Sequence, residues 1–515
     1  MFKNRLLKLG VDIEMGNFKS KIMMLTKSNH LKAIQCQKLL WLTKHKKEVL
    51  TPQKNSAQSK LKIGTEVGEL ACKLFPNGRQ IEYNAQNFQG MVEQTKQWIE
   101  EGVHTIYEAT FMVDGLFIMV DVLTINSEGL TLYEVKSSTG VKDIYLHDVA
   151  FQYYVVEKLG YHIENAFVIH LDSSYVFDET LDLESLFKVV NVTEEVKTLQ
   201  KEIPLNIEIS QNYLAHKEDE PNIEIGKHCH KPYLCEAKEY CWKVQRNIPD
   251  YSIFNIFHLG SKKQIDLYEQ GIVKVEDIPD DYELTKRQRH KVKNFKEKKE
   301  YIDSEQIEKF VASLSYPLYY LDFETFQQAI PQWQGVSPYR QIPFQYSLHI
   351  EEENGALEHK EFLAKEGEDP RESFAQSLVE NIPEDVMVLG YNMSFEKGVL
   401  RKLAKEFDAF SDHLMAIHDN LVDLMMPFQK GYYLTPSMQG SYSIKYVLPA
   451  LVPHMSDAYE DLELINSGSE AMDAFAQLNE LDEVERVATR KALLAYCRLD
   501  TLAMVEILRV LRDRF

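Results

Sequence analysis

Residues 318–326 read LYYLDFETF, an apolar run carrying two carboxylates, Asp322 and Glu324, two residues apart. In a strand that spacing puts both side chains on one face. Neighbouring carboxylates repel each other and are costly to desolvate unless a cation lies between them. A divalent metal is the simplest such cation; a strand end with solvated carboxylates is the plain alternative. Residues 386–400, VMVLGYNMSFEKGVL, bring a second apolar strand into Gly390 and Asn392, and a helix then carries Glu396 one turn in. From residue 491 the chain reads KALLAYCRLDTLAMVEIL, a helix in which Tyr496 and Asp500 stand at i, i+4 and share a face. Four carboxylates from three separated elements suit a pair of Mg²⁺ or Mn²⁺ ions about 4 Å apart, one activating water and one holding the leaving oxygen.

Asp-x-Glu, GYNMSFE and Tyr-x-x-x-Asp together resemble the DEDD exonucleases of the ribonuclease H-like fold, which include polymerase proofreading domains. The resemblance implies that Asp322, Glu324, Glu396 and Asp500 bind the metals. It also implies the tyrosine subtype, in which Tyr496 positions the attacking water; the histidine subtype needs His at 495, which is Ala. One position departs from the family, which usually has Asp where this chain has Glu396. Between the motifs lie DLMMPF (423–428) and GSYSIKYVLPAL (440–451). Asp423 reads as a helix cap, with an outer-shell carboxylate as the alternative.

Six cysteines are present, and three of them, Cys229, Cys235 and Cys241, form CHKPYLCEAKEYC with five residues in each gap. A cytoplasmic chain would not be expected to build a disulfide framework, so the cluster reads as metal binding. A fourth ligand is needed, and Cys36 in IQCQKLLWL is the best candidate. Cys72 and Cys497 sit in helical apolar patterns and read as core residues. Zinc and a four-iron four-sulfur cluster both accept four thiolates, and His228 and His230 leave a mixed zinc site open. One early Cys and a closing triplet resemble the iron–sulfur nucleases of the RecB-like group, in which the cluster staples the ends of a nuclease domain. The triplet's first gap is longer here than is usual in that group, which keeps zinc as the alternative.

That resemblance implies a PD-(D/E)XK site between the cysteines. FIMVDVL (117–123) places Asp121 on a strand, and LTLYEVKSS brings Glu134 and Lys136 after a turn at Glu128-Gly129. The carboxylates would bind the metal, while the Lys136 ammonium stabilises the pentacovalent phosphate or positions water. Gln152 in DVAFQYYVVEKLG resembles the helix-borne Gln of RecB-like members, holding Lys136 or a phosphate. Such enzymes carry a metal-binding His on an early helix, and the matching stretch GTEVGELACKLF (64–75) has none. Glu108, ahead of Glu66 and Glu69, is the expected substitute.

The elements that must position these groups fit an α/β chain of 515 residues, long enough for two or three domains. The expected organisation is a loose extension over 1–23, a restriction-endonuclease-like domain over 24–248, a helical joint over 249–312, and a ribonuclease H-like domain over 313–515 with a mixed sheet flanked by helices. In the joint, LYEQGIVKVEDIP is similar to helical-hairpin modules that approach a DNA backbone, though a packed helical linker is the simpler reading. No apolar run reaches the length of a membrane span. A net charge of −21 argues against loose nucleic-acid binding, but the excess acid lies mainly in stretches such as 171–197 and 456–484. Positive charge gathers around Lys44, Lys46 and Lys47 and in KRQRHKVKNFKEKK (286–299), where Lys286, Arg287, Arg289, Lys291 and Lys293 are candidate phosphate contacts. The combined expectation is a cytoplasmic, metal-dependent DNA nuclease working on single-stranded ends. A catalytically degenerate binding or assembly subunit and an RNA-directed exonuclease are the alternatives.

Overall fold

The computed structural model describes residues 24–51, 55–256 and 258–514, with the side chains of 55–58 left aside. The expected extension over 1–23 lies outside the described residues. The chain divides into two compact units: one runs to Asn247 and includes Ala329–Tyr339; the other comprises Ile248–Gln328 and continues from Arg340. Residues 249–312, expected as a separate joint, fall within the second unit. The protein is mixed α/β, with mixed sheets flanked by helices.

The first unit is built on seven strands: β1 (Leu25–Thr26), β2 (Arg79–Gln80), β3 (Thr105–Val113), β4 (Leu116–Ile125), β5 (Leu130–Lys136), β6 (Ile163–Leu171) and β7 (Phe187–Asn191). They lie in the order β2-β3-β4-β5-β6-β7, with β1 parallel to β4. The β3–β4 hairpin closes through Asp114-Gly115, with φ of 49° and 76°. Asp-Gly is the sequence such a two-residue turn requires, since both central residues need positive φ. In the β4–β5 turn, Asn126 Oδ1 accepts from the backbone N–H of Glu128 and Gly129. A Cβ on Gly129 would meet His162 O at 2.8 Å, so the position admits only glycine without rearrangement. Parallel pairing of β5 and β6 needs a crossover, supplied by the helix Asp143–Lys158. Its Ala150 and Phe151 pack with Ile118, Val120, Leu132 and Val168 of the sheet.

The second unit contains β8 (Tyr301–Ile302), β9 (Leu318–Gln327), β10 (Gln341–Glu351), β11 (Leu357–Leu363), β12 (Met387–Gly390), β13 (Leu421–Asp423) and β14 (Tyr433–Leu434). Five form a sheet in the order β11-β10-β9-β12-β13, and β8 pairs with β14. The central strand β9 is antiparallel to β10 and parallel to β12, so it is buried on both sides. Its apolar residues Leu321 and Phe323 join Tyr346, Leu348, Val388, Leu400 and Leu403 in one core. Pairing of β9 with β10 slips between Pro343 and Gln345, leaving Phe344 as an inserted residue opposite the Glu324–Thr325 step. Phe344 stacks on Phe475 of the helix Gly468–Gln477, with ring centroids 4.0 Å apart and planes at 14°. The long helix Glu483–Arg514 packs on β9 and β10.

Residues 253–292 have a small core of their own, made of Ile253, Ile256, Leu259, Leu267, Val275, Ile278 and Val292. The helix Ser261–Glu269 ends at left-handed Gly271, where Gly271 N–H donates to Tyr268 O and Ile272 N–H to Leu267 O. These paired bonds satisfy the last carbonyls of the helix. Among the described residues, no helix is long and apolar enough to cross a membrane.

Candidate functional site

In the second unit, strand alternation turns Asp322 and Glu324 to the same side of β9, where they meet Asp500 of the terminal helix. One carboxylate oxygen from each of the three lies within 4.8 Å of the others. Glu396, in the first turn of the helix Ser394–Glu406, is outside this close triad but within its field. It is buried, and its Oε2 has no hydrogen-bond partner.

The electrostatics follow from four acids gathered away from water. Burial, and then the charges of Asp500, Glu324 and Glu396, hold Asp322 well above the usual carboxylate range. Burial and Asp500 push Glu324 up to about 8, against the pull of Lys445. Burial, with Asp423 adding, takes Glu396 to about 8. Asp500 rises only to about 6, because the Tyr459 hydroxyl, Lys445 and Tyr496 favour its charged form. Four oxygen donors that each resist carrying charge alone, one of them unpartnered, are a fitting cage for hard divalent cations.

The residues around the cage include several that carried no sequence signal. Tyr459 donates to Asp500 Oδ1 at 2.6 Å. The Lys445 ammonium lies over the rings of Tyr459 and Tyr496, 5.0 and 5.5 Å from their centroids. Lys445 was visible within GSYSIKYVLPAL, but nothing there marked it out; Tyr459 lies in a stretch that reads only as acidic. Gly468 brings the start of its helix against Glu324: a Cβ there would stand 3.4 Å from Oε2. Asp423 caps backbone, accepting from Asn392 N–H at 3.0 Å and Met425 N–H at 2.9 Å. Cys497 is buried, as its helical pattern predicts, with Sγ 3.8 Å from Asp322 Oδ2. Because Tyr459 fixes the Asp500 carboxylate, Tyr459→Phe is expected to weaken Mn²⁺ affinity by about 10- to 100-fold. Titration calorimetry on the full chain measures this; unchanged affinity would remove Tyr459 from the metal shell.

The first unit gathers a second polar cluster. Asp121 of β4 reaches across to β5, accepting from Val135 N–H at 2.7 Å. Glu134 accepts from Lys136 at 2.6 Å, from Gln152 at 2.7 Å and from Lys27 at 2.9 and 3.0 Å. Lys136 also donates to Asp148 at 2.6 Å, and Gln152 to Asp148 at 3.1 Å. Asp121, Glu134, Lys136 and Gln152 are therefore brought together. Sequence reasoning missed Asp148, one turn before Gln152 on the same buried helix, and Lys27.

Burial and the neighbouring Glu134 charge push Asp121 to about 7, against Lys27 and Lys136. Glu134 is buried too, but Lys136 and Lys27 outweigh that penalty and hold it below its ordinary range. Glu108 has φ of 54° and is raised by burial while feeling both Lys27 and Glu134; Glu69 is felt at Cys72. The helix Lys27–Gln35 also meets the site, beside the 64–75 stretch, whose Cys72 feels Asp121 and Glu108. It contributes Lys27, whose ammonium also stands 3.7 Å from Asp121. His30, one turn further, is buried and stacks on Phe151 at 4.3 Å.

Cys36, Cys229, Cys235 and Cys241 line one pocket. Cys36 sits between the helices Lys27–Gln35 and Gln37–His45, far in sequence from the other three. His228 is raised to about 10 by the neighbouring Cys229 and Cys36. Cys229 is lowered on balance: burial opposes its thiolate, but the neighbouring His228 favours it. Burial pushes Cys235 to about 12 and Cys241 to about 11. The pocket walls are tied by Lys38, which donates to Gln245 at 2.8 Å and pairs with Glu220 at 2.9 Å, and by Tyr240, which donates to Glu220 at 2.9 Å. Lys46 is part of this network, 2.6 Å from the Tyr240 hydroxyl. Four thiols with a histidine at two of them suit either metal chemistry.

The basic helix Lys286–Glu297 does not present the five candidate cations as one surface. Lys291 is buried, donates to Gly440 O at 3.2 Å and is lowered to about 8 by burial. Arg289 donates to the carbonyls of Asp280 and Tyr282. Lys291 is therefore withdrawn and Arg289, though exposed, is engaged by backbone carbonyls, while Lys286, Arg287 and Lys293 are also exposed, with Lys293 3.8 Å from Glu297.

Residues 319–443 match the family described as Domain of unknown function (DUF2779). That region holds Asp322, Glu324 and Glu396 and stops before Lys445, Tyr496 and Asp500. The chain is also similar to the "Uncharacterized protein MG366 homolog" of Mycoplasma pneumoniae, 27% identical over 212 residues. The match covers 38% of this chain and spans 32% of that relative's length.

Proposed function

We propose that the chain is a metal-dependent nuclease acting on DNA, with an end-trimming site in the second unit and a further hydrolytic site in the first. The finer fold reading goes with it: a restriction-endonuclease-like first unit and a ribonuclease H-like exonuclease domain in the second. What carries the proposal is the meeting of Asp322, Glu324 and Asp500 within 4.8 Å, from a strand and a helix far apart in sequence. Buried acids so placed have no evident structural use, and the energetic penalty they share is relieved by Mg²⁺ or Mn²⁺.

Asp322, Glu324, Glu396 and Asp500 would hold the ions in the second unit. When bound, two such ions lower the pKa of an attacking water and stabilise charge on the leaving oxygen. The chain's own groups do the rest. Tyr496 is raised by burial and by Asp500, so its phenol stays protonated at neutral pH and acts as a donor that orients water. Tyr459 holds Asp500 in place. Lys445, facing Glu324 and Asp500, supplies positive charge where a scissile phosphate would lie. Trimming from 3′ termini is the direction implied by the resemblance to proofreading domains.

In the first unit, Asp121, Glu134 and Glu108 would hold a metal, and Lys136, oriented by Asp148 and Gln152, would face the phosphate. The four cysteines would hold an iron–sulfur cluster, or zinc, that ties the early helices to the segment ending at Cys241. A second reading is favoured here by one observation: the Lys27 ammonium bridges Glu134 and Asp121 and already neutralises them. On that reading the first unit binds nucleic acid without cutting it.

End-labelled single- and double-stranded DNA, incubated with Mn²⁺, separates the readings. Asp500→Asn is expected to remove stepwise shortening and leave other cuts. Glu134→Gln is expected to do the reverse. If Glu134→Gln changes no product, the first unit is a binding module; if the unaltered chain cuts neither substrate with either metal, the nuclease reading fails.

A further inference from the structure

The segment between Cys229 and Cys235 reaches the polar cluster of the first unit. Tyr233 lies within the electrostatic reach of Tyr145, Lys136 and Asp148. The Lys136 ammonium in turn stands 5.2 Å from the centre of the Tyr145 ring, and Lys142 lies over the same ring at 5.6 Å. The segment is held firmly: Gln35 Nε2 donates to His228 O and to Tyr233 O, both at 2.8 Å, and Cys235 N–H donates to Cys229 O at 3.0 Å. Yet its tip is open to solvent, with Tyr233 51% and Leu234 66% exposed.

An anchored aromatic ring and an aliphatic neighbour, exposed beside two lysines, have no packing role to explain them. Their chemistry matches one partner. A single nucleic-acid strand offers a flat base for the ring and a phosphate for the ammonium groups, and base–aromatic stacking tolerates any sequence. We infer that Tyr233 and Leu234 form a base-stacking tip that seats a single strand at the mouth of the first-unit site, with its phosphate toward Lys136. This rests on the nuclease reading of that unit and adds a binding residue to it. Tyr233 acts on the strand, not on the reacting phosphate. The segment is anchored by the Gln35 bonds and by the Cys235–Cys229 backbone bond, so little ordering entropy is lost when a base stacks.

The test uses the full chain and a single-stranded oligonucleotide carrying 5-iodouracil at successive positions, irradiated in chelator, with cross-linked peptides identified by mass spectrometry. A cross-link at Tyr233 is expected. First-site cleavage is then measured with Mn²⁺ in an Asp500→Asn chain, so that the second site is silent. There Tyr233→Ala is expected to raise KM about tenfold, as loss of one stacked base would, with kcat within about twofold. Tyr233→Phe keeps the ring and is expected to stay within about twofold of Tyr233. Absence of the cross-link, an unchanged KM for Tyr233→Ala, or equal damage from Tyr233→Phe would overturn the inference. If the Asp500→Asn chain cuts nothing, hydrolysis by the first unit fails, and the cross-link alone decides whether the tip binds nucleic acid.

Discussion

On the proposed reading, Asp322→Asn is expected to lower Mg²⁺- or Mn²⁺-dependent end trimming by about a thousandfold or more, while raising the melting temperature of the metal-free second unit. The two effects share a cause. Asp322 is held far above its ordinary range by burial and by three acidic neighbours, so its charged form opposes folding. Asparagine removes that charge with little change of shape. The same charge is what a metal needs, so adding Mn²⁺ should reverse the order and leave the unaltered chain the more stable of the two.

The pH dependence has a definite sign. Carboxyls raised in the folded state, such as Glu324 and Glu396 at about 8, retain protons that the unfolded chain releases at ordinary carboxyl pKa values. Without metal, this stabilisation is complete below about pH 4 and is lost as pH climbs toward 8. Metal competes with those protons, so Mn²⁺ affinity and trimming should both rise across that interval. Scanning calorimetry with chelator and with Mn²⁺, at several pH values, checks stability and affinity, and end-labelled DNA over the same pH range checks trimming. Should Asp322→Asn melt lower than the unaltered chain in chelator, the mutual repulsion of these acids is not a real feature of the fold.

The second large effect is expected from Cys235→Ser. On the proposed reading, a group held by four thiolates from positions 36 and 229–241 would link the start and end of the first unit. Its binding free energy is therefore also folding free energy. Anaerobically purified chain is expected to be brown, with about four iron atoms per molecule. Cys235→Ser should lose the colour and lower the first unit's melting temperature by roughly 10 °C or more. Trimming by the second unit should persist, because none of its acids belongs to the cysteine pocket. A colourless chain holding about one zinc would overturn the iron–sulfur assignment while keeping the staple. Loss of all activity in Cys235→Ser would show that the two sites do not work independently.

How much of this was legible in the sequence depended on whether a residue's chemistry carried a local pattern. Strand alternation put Asp322 and Glu324 on one face and helical spacing did the same for Tyr496 and Asp500, while the grouping of these acids with Glu396 rested on the resemblance to DEDD exonucleases. The same holds for Asp121, Glu134 and Lys136 on paired strands. The four cysteines stood out because thiols are few and spaced. Lys27, Asp148, Lys445 and Tyr459 were not legible: each is an ordinary residue whose role comes only from what the tertiary fold sets against it. The basic run at 286–299 misled in the opposite way, since composition does not show that Lys291 is turned inward beneath Gly440. The 249–312 segment read as a joint because its elements are short; it has a small apolar core of its own and falls within the second compact unit.

The inserted Phe344 has an effect beyond local irregularity. By stacking on Phe475 it sets how closely the helix beginning at Gly468 approaches Glu324. Ring thickness, not the acidic groups themselves, thereby becomes the shim that gauges the gap above the carboxylates. A slimmer side chain at 475 would let that wall settle by a fraction of an ångström, narrowing the space above the carboxylates while leaving the acidic groups as they are.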